Sequence, residues 1–312
     1  MQRGGRFALR GVVLAAFTQM GRARAAYAVR SLMDDISEFL TEIGAHGAVD
    51  YAAVKFRGKD VTYALYSNGN KKTDAEALAF LGQAESLSFL KESDLLFYSV
   101  QSSPKVRRSY EYKPAPSAVK GDALKRLISP WRDSGCYDTI LSFSSPRRRA
   151  NMTGGGIYCF GAEYPQGRAE RPQDAVWKIY FNTYFTDETG SRIYDNAMWM
   201  GLVRRCSSPR LAQLADRYAP LLSLDMDLHM VGLNYDRLTG GCDHKLYFRT
   251  AKPDMSTEAI EAALDDGICK ATTRGVLGDE RIRSALAFAG LAVSLDDNGA
   301  ERVNFYFKER KA

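Results

Sequence analysis

Two features of the sequence predict an α+β protein built on an antiparallel barrel of about ten strands, wide enough for a ligand, with helices outside. The first is a run of strands whose faces carry opposite chemistry. Side chains alternate across a strand, so in VWKIYFNTY, Val176 to Tyr184, the residues Lys178, Tyr180, Asn182 and Tyr184 share one face. Trp177, Ile179, Phe181 and Thr183 share the other. HKLYFR, His244 to Arg249, repeats the pattern, with Lys245, Tyr247 and Arg249 opposite Leu246 and Phe248. So does Arg302 to Lys308, with Asn304, Tyr306 and Lys308 opposite Val303, Phe305 and Phe307. The second feature is a regular alternation of hairpins with helices. Hairpins join antiparallel neighbours directly, which excludes the parallel βαβ pattern, and repetition of one unit favours a closed ring.

In chain order, residues 1–21 are basic with a short apolar run, Gly11 to Phe17, and read as a disordered or helical extension ahead of one domain spanning 22–312. From Arg22 to Ile43, Ala26, Val29, Leu32, Met33, Ile36, Leu40 and Ile43 recur at helical spacing, and Gly44 ends the pattern. Val49 to Phe56 and Val61 to Ser67 form a first hairpin, Asp74 to Gly82 a helix, and Asp94 to Val100 with Arg107 to Lys113 a second hairpin. Lys120 to Leu127 is helical. Tyr137 to Phe143, Gly156 to Phe160 and the strand from Val176 make a third β group, interrupted by a basic loop at Pro146 to Arg149 and by Gly154 to Gly156. That loop reads as mobile, with a phosphate cradle as the functional alternative. Ser191 to Val203 and Pro209 to Leu222 are helices, and Leu228 to Tyr235 with Cys242 to Thr250 a hairpin. Thr257 to Ile268 and Glu280 to Phe288 are helices, and Leu291 to Leu295 with Arg302 to Lys308 closes the chain as a hairpin.

The composition is that of a folded globular protein, at 45% hydrophobic and 26% charged residues. The net charge of +6, from 43 basic and 37 acidic residues, suits an anionic ligand, and no RNP motif, zinc-finger spacing or long basic tract points to nucleic acid. No stretch approaches the roughly 20 apolar residues of a membrane span. Five cysteines, scattered, odd in number and never spaced CxxC, predict a reducing, cytoplasmic setting and no metal centre. With only His46, His229 and His244, a histidine metal site is not expected, and His229 and His244 read as packing or surface residues. Asp34 and Asp35 lie on the polar face of the first helix, at the wrong spacing for DDxxD.

The motifs Lys178-Ile-Tyr180 and Lys245-Leu-Tyr247, with Tyr306 on the last strand, resemble those of the αββα-barrel (ABBA) aromatic prenyltransferases. In length and in the run from Leu228 to Arg249, the chain looks most like the cyanobactin-type enzymes that modify ribosomally made peptides. The resemblance implies repeated ααββ units and an isoprenoid diphosphate co-substrate, dimethylallyl diphosphate, with Mg2+ as an optional companion. It implies that Lys178, Lys245, Arg249 and Lys308 hold the diphosphate and that Tyr180, Tyr247 and Tyr306 shield the allyl cation.

The chemistry is also readable from the residues. Allylic diphosphate ionises when fixed cations stabilise the leaving group in a water-poor cavity, and tyrosine faces stabilise the resulting carbocation. A carboxylate then orients or deprotonates the acceptor, and Asp50 and Glu111 are the acidic candidates on strands. Only four residues follow Lys308. An end without a plug would need a large acceptor to seal it, and this favours a cyclic or linear peptide over a free aromatic. The expected function is therefore transfer of a dimethylallyl group to a peptide side chain. The alternatives are a small aromatic or amino-acid acceptor, or a non-catalytic barrel that binds an anion.

Overall fold

A computed structural model describes residues 49–57, 60–68, 94–101, 107–114, 117–165, 175–251, 257–264, 286–296 and 298–309, with isolated positions between 270 and 283. The expected helices at Arg22 to Ile43 and Asp74 to Gly82, the extension 1–21, and Asp34 and Asp35 lie outside these residues.

The chain begins with the hairpin β1 (Val49–Arg57) and β2 (Asp60–Asn68), followed by β3 (Asp94–Gln101) and β4 (Arg107–Lys113). Helices α1 (Gly121–Leu127) and α2 (Tyr137–Ser144) precede two short strands, β5 (Arg147–Arg149) and β6 (Met152–Gly154). Then come β7 (Ile157–Pro165), β8 (Val176–Asn182), β9 (Phe185–Thr186) and β10 (Arg192–Ile193). Helices α3 (Asn196–Arg205) and α4 (Pro209–Tyr218) lead into β11 (Met226–Asp236) and β12 (Cys242–Thr250). The last elements are α5 (Thr257–Ala262), β13 (Leu286–Leu295) and β14 (Glu301–Glu309).

Every pairing is antiparallel. The main sheet runs β1-β14-β13-β12-β11-β8-β7-β4-β3-β2 and closes where β2 returns to β1. A smaller sheet, β10-β9-β6-β5, stands beside it.

Several segments correct the sequence reading. Tyr137 to Phe143 is a helix, not a strand: Thr139, Ile140, Phe143 and Ser144 are its buried face, at helical spacing. A short apolar run suits either state, and here packing of Phe143 against Phe181, ring centroids 5.6 Å apart, decides it. At the other end, β13 starts at Leu286, so Leu286 to Phe288 is strand and not the tail of a helix. The basic stretch Arg147 to Arg149 is likewise not a loop but the exposed outer strand of the small sheet, where Arg149 bonds Asp195 at 2.6 Å. The glycines beside it serve packing: a Cβ on Gly154 would meet the Tyr184 carbonyl at 2.6 Å, and one on Gly155 would meet Trp199 at 2.6 Å.

The outer face of the barrel is the core. Trp177, Ile179 and Phe181 of β8, Val231 and Leu233 of β11, Leu246 and Phe248 of β12, and Val303 and Phe305 of β14 are all buried in one cluster. Helix α4 covers it with Leu211, Leu214, Ala215 and Tyr218, one turn apart in sequence; Pro209 opens the helix and the Ser208 hydroxyl accepts the Leu211 N–H. Phe181→Ala or Phe248→Ala should therefore lower stability by about 3 kcal/mol or more. Tyr180→Phe and Tyr247→Phe, on the other face, should leave thermal unfolding close to that of the unaltered chain.

The two rims of the barrel differ. Strands β1, β3, β7, β11 and β13 each carry a register shift near their first residues, between Val49 and Tyr51, Leu95 and Phe97, Ile157 and Cys159, Leu228 and Met230, and Phe288 and Gly290. These strands run in the same direction, so the bulges ring one rim. Each adds a residue there, and Tyr158, His229 and Ala289 are three that line the cavity. The opposite rim carries the hairpin turns, including Asp236–Gly241 and Asp296–Gly299.

Candidate active site

The polar strand faces turn inward and line two chambers with four residues in common. The chamber on the turn rim, about 280 Å³, is lined by Lys55, Lys178, Lys245, Arg210 and Arg302, with Glu163, Asp236, Asp243 and Asp296 among them. The chamber on the bulged rim, about 190 Å³, is lined by Glu111, Tyr51, Tyr158, His229, Arg249 and Lys308, with Met230 and Leu291 among its apolar surface.

Tyr66, Tyr180, Tyr247 and Tyr306 line both chambers and form the wall between them. Their rings are contiguous, with centroids 6.0 Å apart for Tyr66 and Tyr306, 6.1 Å for Tyr306 and Tyr247, and 5.7 Å for Tyr247 and Tyr180. Burial pushes the phenols of Tyr66, Tyr180 and Tyr247 well above the ordinary tyrosine range and that of Tyr306 up to about 12, so all four are neutral at physiological pH. Gly232 makes room for this collar. A Cβ there would lie 2.9 Å from Tyr247 and 3.0 Å from Tyr180. Gly232→Ala should displace both rings and weaken binding of any ligand that uses them, with little change in the outer core; isothermal titration with a prenyl diphosphate analogue checks this.

Lys178 is the electrostatic centre. Its Nζ lies 2.5 Å from Glu163 Oε2, donates to Ser109 Oγ at 3.0 Å, and is 3.9 Å from Glu111 Oε1. Tyr180 donates to the same Glu111 oxygen at 3.3 Å. All of these groups are buried. Burial, against the pull of Lys178 and Lys55, raises the Glu111 carboxyl above the ordinary glutamate range. The sign of the pH effect follows. If ionised Glu111 is the base, kcat/KM should fall with decreasing pH through a value above that of an ordinary glutamate, and Glu111→Gln should remove that limb. The folded chain holds this proton more tightly than the unfolded chain, so acid loss of activity through Glu111 is not acid unfolding.

The sequence candidates separate between the chambers. Lys178 and Lys245 face the turn-side chamber, Lys245 with Asp243 at 3.2 Å. Arg249 and Lys308 face the other, beyond the tyrosines, and this corrects the expectation that all four cations converge on one anion. Arg249 donates to the Tyr194 hydroxyl at 3.3 Å, and that hydroxyl lies 2.9 Å from His229 Nδ1. His229 also stacks on Tyr184 at 5.3 Å; burial, then Arg192, Arg249 and Lys308, lowers its pKa to about 3 and keeps it neutral. It is thus a wall residue of the cavity, not merely packing. Asp50 falls at the β1 bulge, and its side chain lies outside the described part of the structure. Sequence reasoning passed over Glu163, Tyr66 and Gly232. The alternation Thr62, Ala64, Tyr66 was a usable signal for Tyr66, as was a glycine inside a strand for Gly232.

Two of the five cysteines are paired, a link that their scattered spacing does not predict. Cys136, at the cap of α2, and Cys242, at the start of β12, are 106 residues apart in sequence and form a disulfide. Among the described residues Cys159 and Cys206 are free. No helix among the described residues is long and apolar enough to cross a membrane.

No protein-family model matches the chain, and no curated protein matches it. Solved structures do. NotF in complex with brevianamide F and DMSPP aligns at a TM-score of 0.60 with 11% identity, covering 100% of this chain and 96% of that one. AnaPT from Neosartorya fischeri aligns at 0.59 with 10% identity, over 96% of this chain and 94% of that one. The 5-dimethylallyltryptophan synthase from Streptomyces coelicolor aligns at 0.56 with 11% identity, over 96% and 97%. At such identities the likeness is one of fold, and it extends over nearly the whole of each chain.

Proposed function

We propose that the protein is a prenyltransferase that moves a dimethylallyl group from its diphosphate to an aromatic acceptor. The observation that carries this reading is the tyrosine collar standing between a lysine-lined chamber and one holding a carboxylate. In this reading the diphosphate occupies the turn-side chamber, held by Lys55, Lys178 and Lys245 with Arg210 and Arg302 at its edge. The allylic carbon then lies at the collar. The C1–O bond breaks with its electron pair leaving on the diphosphate, where the cations stabilise it. Tyr66, Tyr180, Tyr247 and Tyr306 surround the carbocation and exclude water. The acceptor, in the bulged-rim chamber, supplies the electron pair of the new bond, and its displaced proton passes to Glu111. Carboxylates of the turn-side chamber offer oxygen ligands to a magnesium ion carried in with the diphosphate, and restoration of EDTA-suppressed turnover by Mg2+ would mark that use.

Two acceptor classes fit this chemistry. The aligned structures include NotF with brevianamide F and the synthase with DMASPP and Trp, both indole compounds. A chamber of about 190 Å³, walled by Tyr51, Tyr158 and His229, suits one aromatic ring system and supports the small-molecule reading. The peptide reading requires that such a ring enter as a side chain, with the rest of the peptide outside the rim. Incubation of the full chain and dimethylallyl diphosphate with tryptophan, a tryptophan-containing cyclic dipeptide and a tryptophan-containing linear peptide separates the two. Mass spectrometry should show the prenyl adduct on the free amino acid or cyclic dipeptide; an adduct on the linear peptide alone would establish the peptide reading instead.

A further inference from the structure

We propose that Cys136, Cys242 and His244 form a zinc site on the outer side of the barrel wall, independent of the transferase reading. The three residues each place one ligand atom within 4.8 Å of the others. With the Cys136–Cys242 bond reduced and its two sulfurs moved apart, that spread admits a single tetrahedral ion, for which Zn–S is about 2.3 Å and Zn–N about 2.0–2.1 Å. Cys242 and His244 are two apart on β12, so the strand presents both on the face opposite Asp243 and Lys245. Cys136 comes from the cap of α2 and is fully enclosed.

The second observation is His244 itself. It is 9% exposed, and its Nδ1 is enclosed with no hydrogen-bond partner among the described atoms. A buried ring nitrogen without a partner is costly, and a metal ion beside two sulfurs would relieve that cost. Two thiolates and an imidazole are borderline-soft ligands suited to zinc and poorly suited to magnesium or calcium. The protein supplies three ligands and leaves the fourth position to water.

The disulfide is the oxidised form of the same site. Its Cα–Cα separation of 6.8 Å is at the outer limit for disulfides. A phosphine or thiol reductant adds two electrons, two protons convert the sulfurs to thiols, and zinc displaces both protons when it binds. In either form the start of α2 is clamped to β12, and zinc adds His244 to the clamp.

The test uses the full chain, reduced with a phosphine, incubated with zinc, desalted and assayed for metal by plasma mass spectrometry. About one zinc per chain is expected, falling to background in Cys242→Ser and His244→Ala. A Cys159→Ser/Cys206→Ser/Cys269→Ser triple variant should retain it. Because the single variants could lose structure, the unaltered chain supplies two further readings: cobalt loading should give a thiolate charge-transfer band in the near ultraviolet, and oxidation to the disulfide should abolish metal uptake. Zinc at background in the reduced chain, zinc retained after oxidation, or zinc retained in a folded His244→Ala variant would each overturn the proposal, leaving a covalent clamp only.

Discussion

Glu111→Gln is expected to lower turnover by about a hundredfold to ten-thousandfold, the usual contribution of a positioned general base, while the protein stays folded. Glutamine keeps the volume of the side chain and still accepts the Tyr180 hydrogen bond at Glu111 Oε1, so the collar keeps its support. What is lost is the carboxylate that receives the acceptor proton. Donor binding should change less than turnover, because Glu111 lines the chamber across the collar from Lys245, although its Oε1 lies 3.9 Å from Lys178 Nζ. Single-turnover kinetics with a titration of dimethylallyl diphosphate distinguish the two effects. Turnover within a few-fold of the unaltered chain would remove Glu111 from the base role.

Lys178→Ala should be damaging in two ways. The lysine is buried between Glu163 at 2.5 Å and Glu111 at 3.9 Å, and its removal leaves two carboxylates facing each other without their shared cation. Breaking a buried pair in this manner costs about 3–5 kcal/mol. Its loss also removes a charge-assisted contact to the diphosphate, worth about 1.5–3 kcal/mol, or at least about tenfold in donor affinity. A lumen position read from strand alternation alone would be expected to tolerate alanine without unfolding; the carboxylates that converge on this one change that expectation. Lys178→Ala/Glu163→Gln should recover part of the stability but not the donor affinity, as chemical denaturation and calorimetry would show.

Those carboxylates also show where sequence reasoning stopped. The faces of β8, β12 and β14 were legible because large apolar side chains alternate there with cations and phenols, and β4 and β12 begin and end where the sequence places them. Glu163 was not legible, since its strand offers Cys159, Gly161 and Pro165 on the same face and its partner Lys178 sits on the neighbouring strand. The bulges were hidden for a related reason. One inserted residue reverses the alternation, so Arg249 and Lys308 keep the parity of Lys245 and Tyr306 along their own strands but lie beyond the collar, at the rim where partner strands shift register. The α2 helix was lost because seven residues of mixed apolar and hydroxyl type fit either period until a partner is known. The meeting of Cys136, Cys242 and His244 depends on the closure of the barrel against α2, and a separation of 106 residues carries no local signal of it.

The central claim is that the collar lies between a bound allylic diphosphate and an aromatic acceptor. Its most direct test is product analysis by mass spectrometry after incubating the full chain with dimethylallyl diphosphate and indole-bearing acceptors, free and within peptides, beside a Tyr180→Ala/Tyr247→Ala variant. The account predicts an acceptor carrying one dimethylallyl unit, with the variant shifted toward hydrolysed dimethylallyl alcohol. Diphosphate that binds and is never consumed, with no adduct on any acceptor, would contradict it and leave the barrel as a binding protein for an anion.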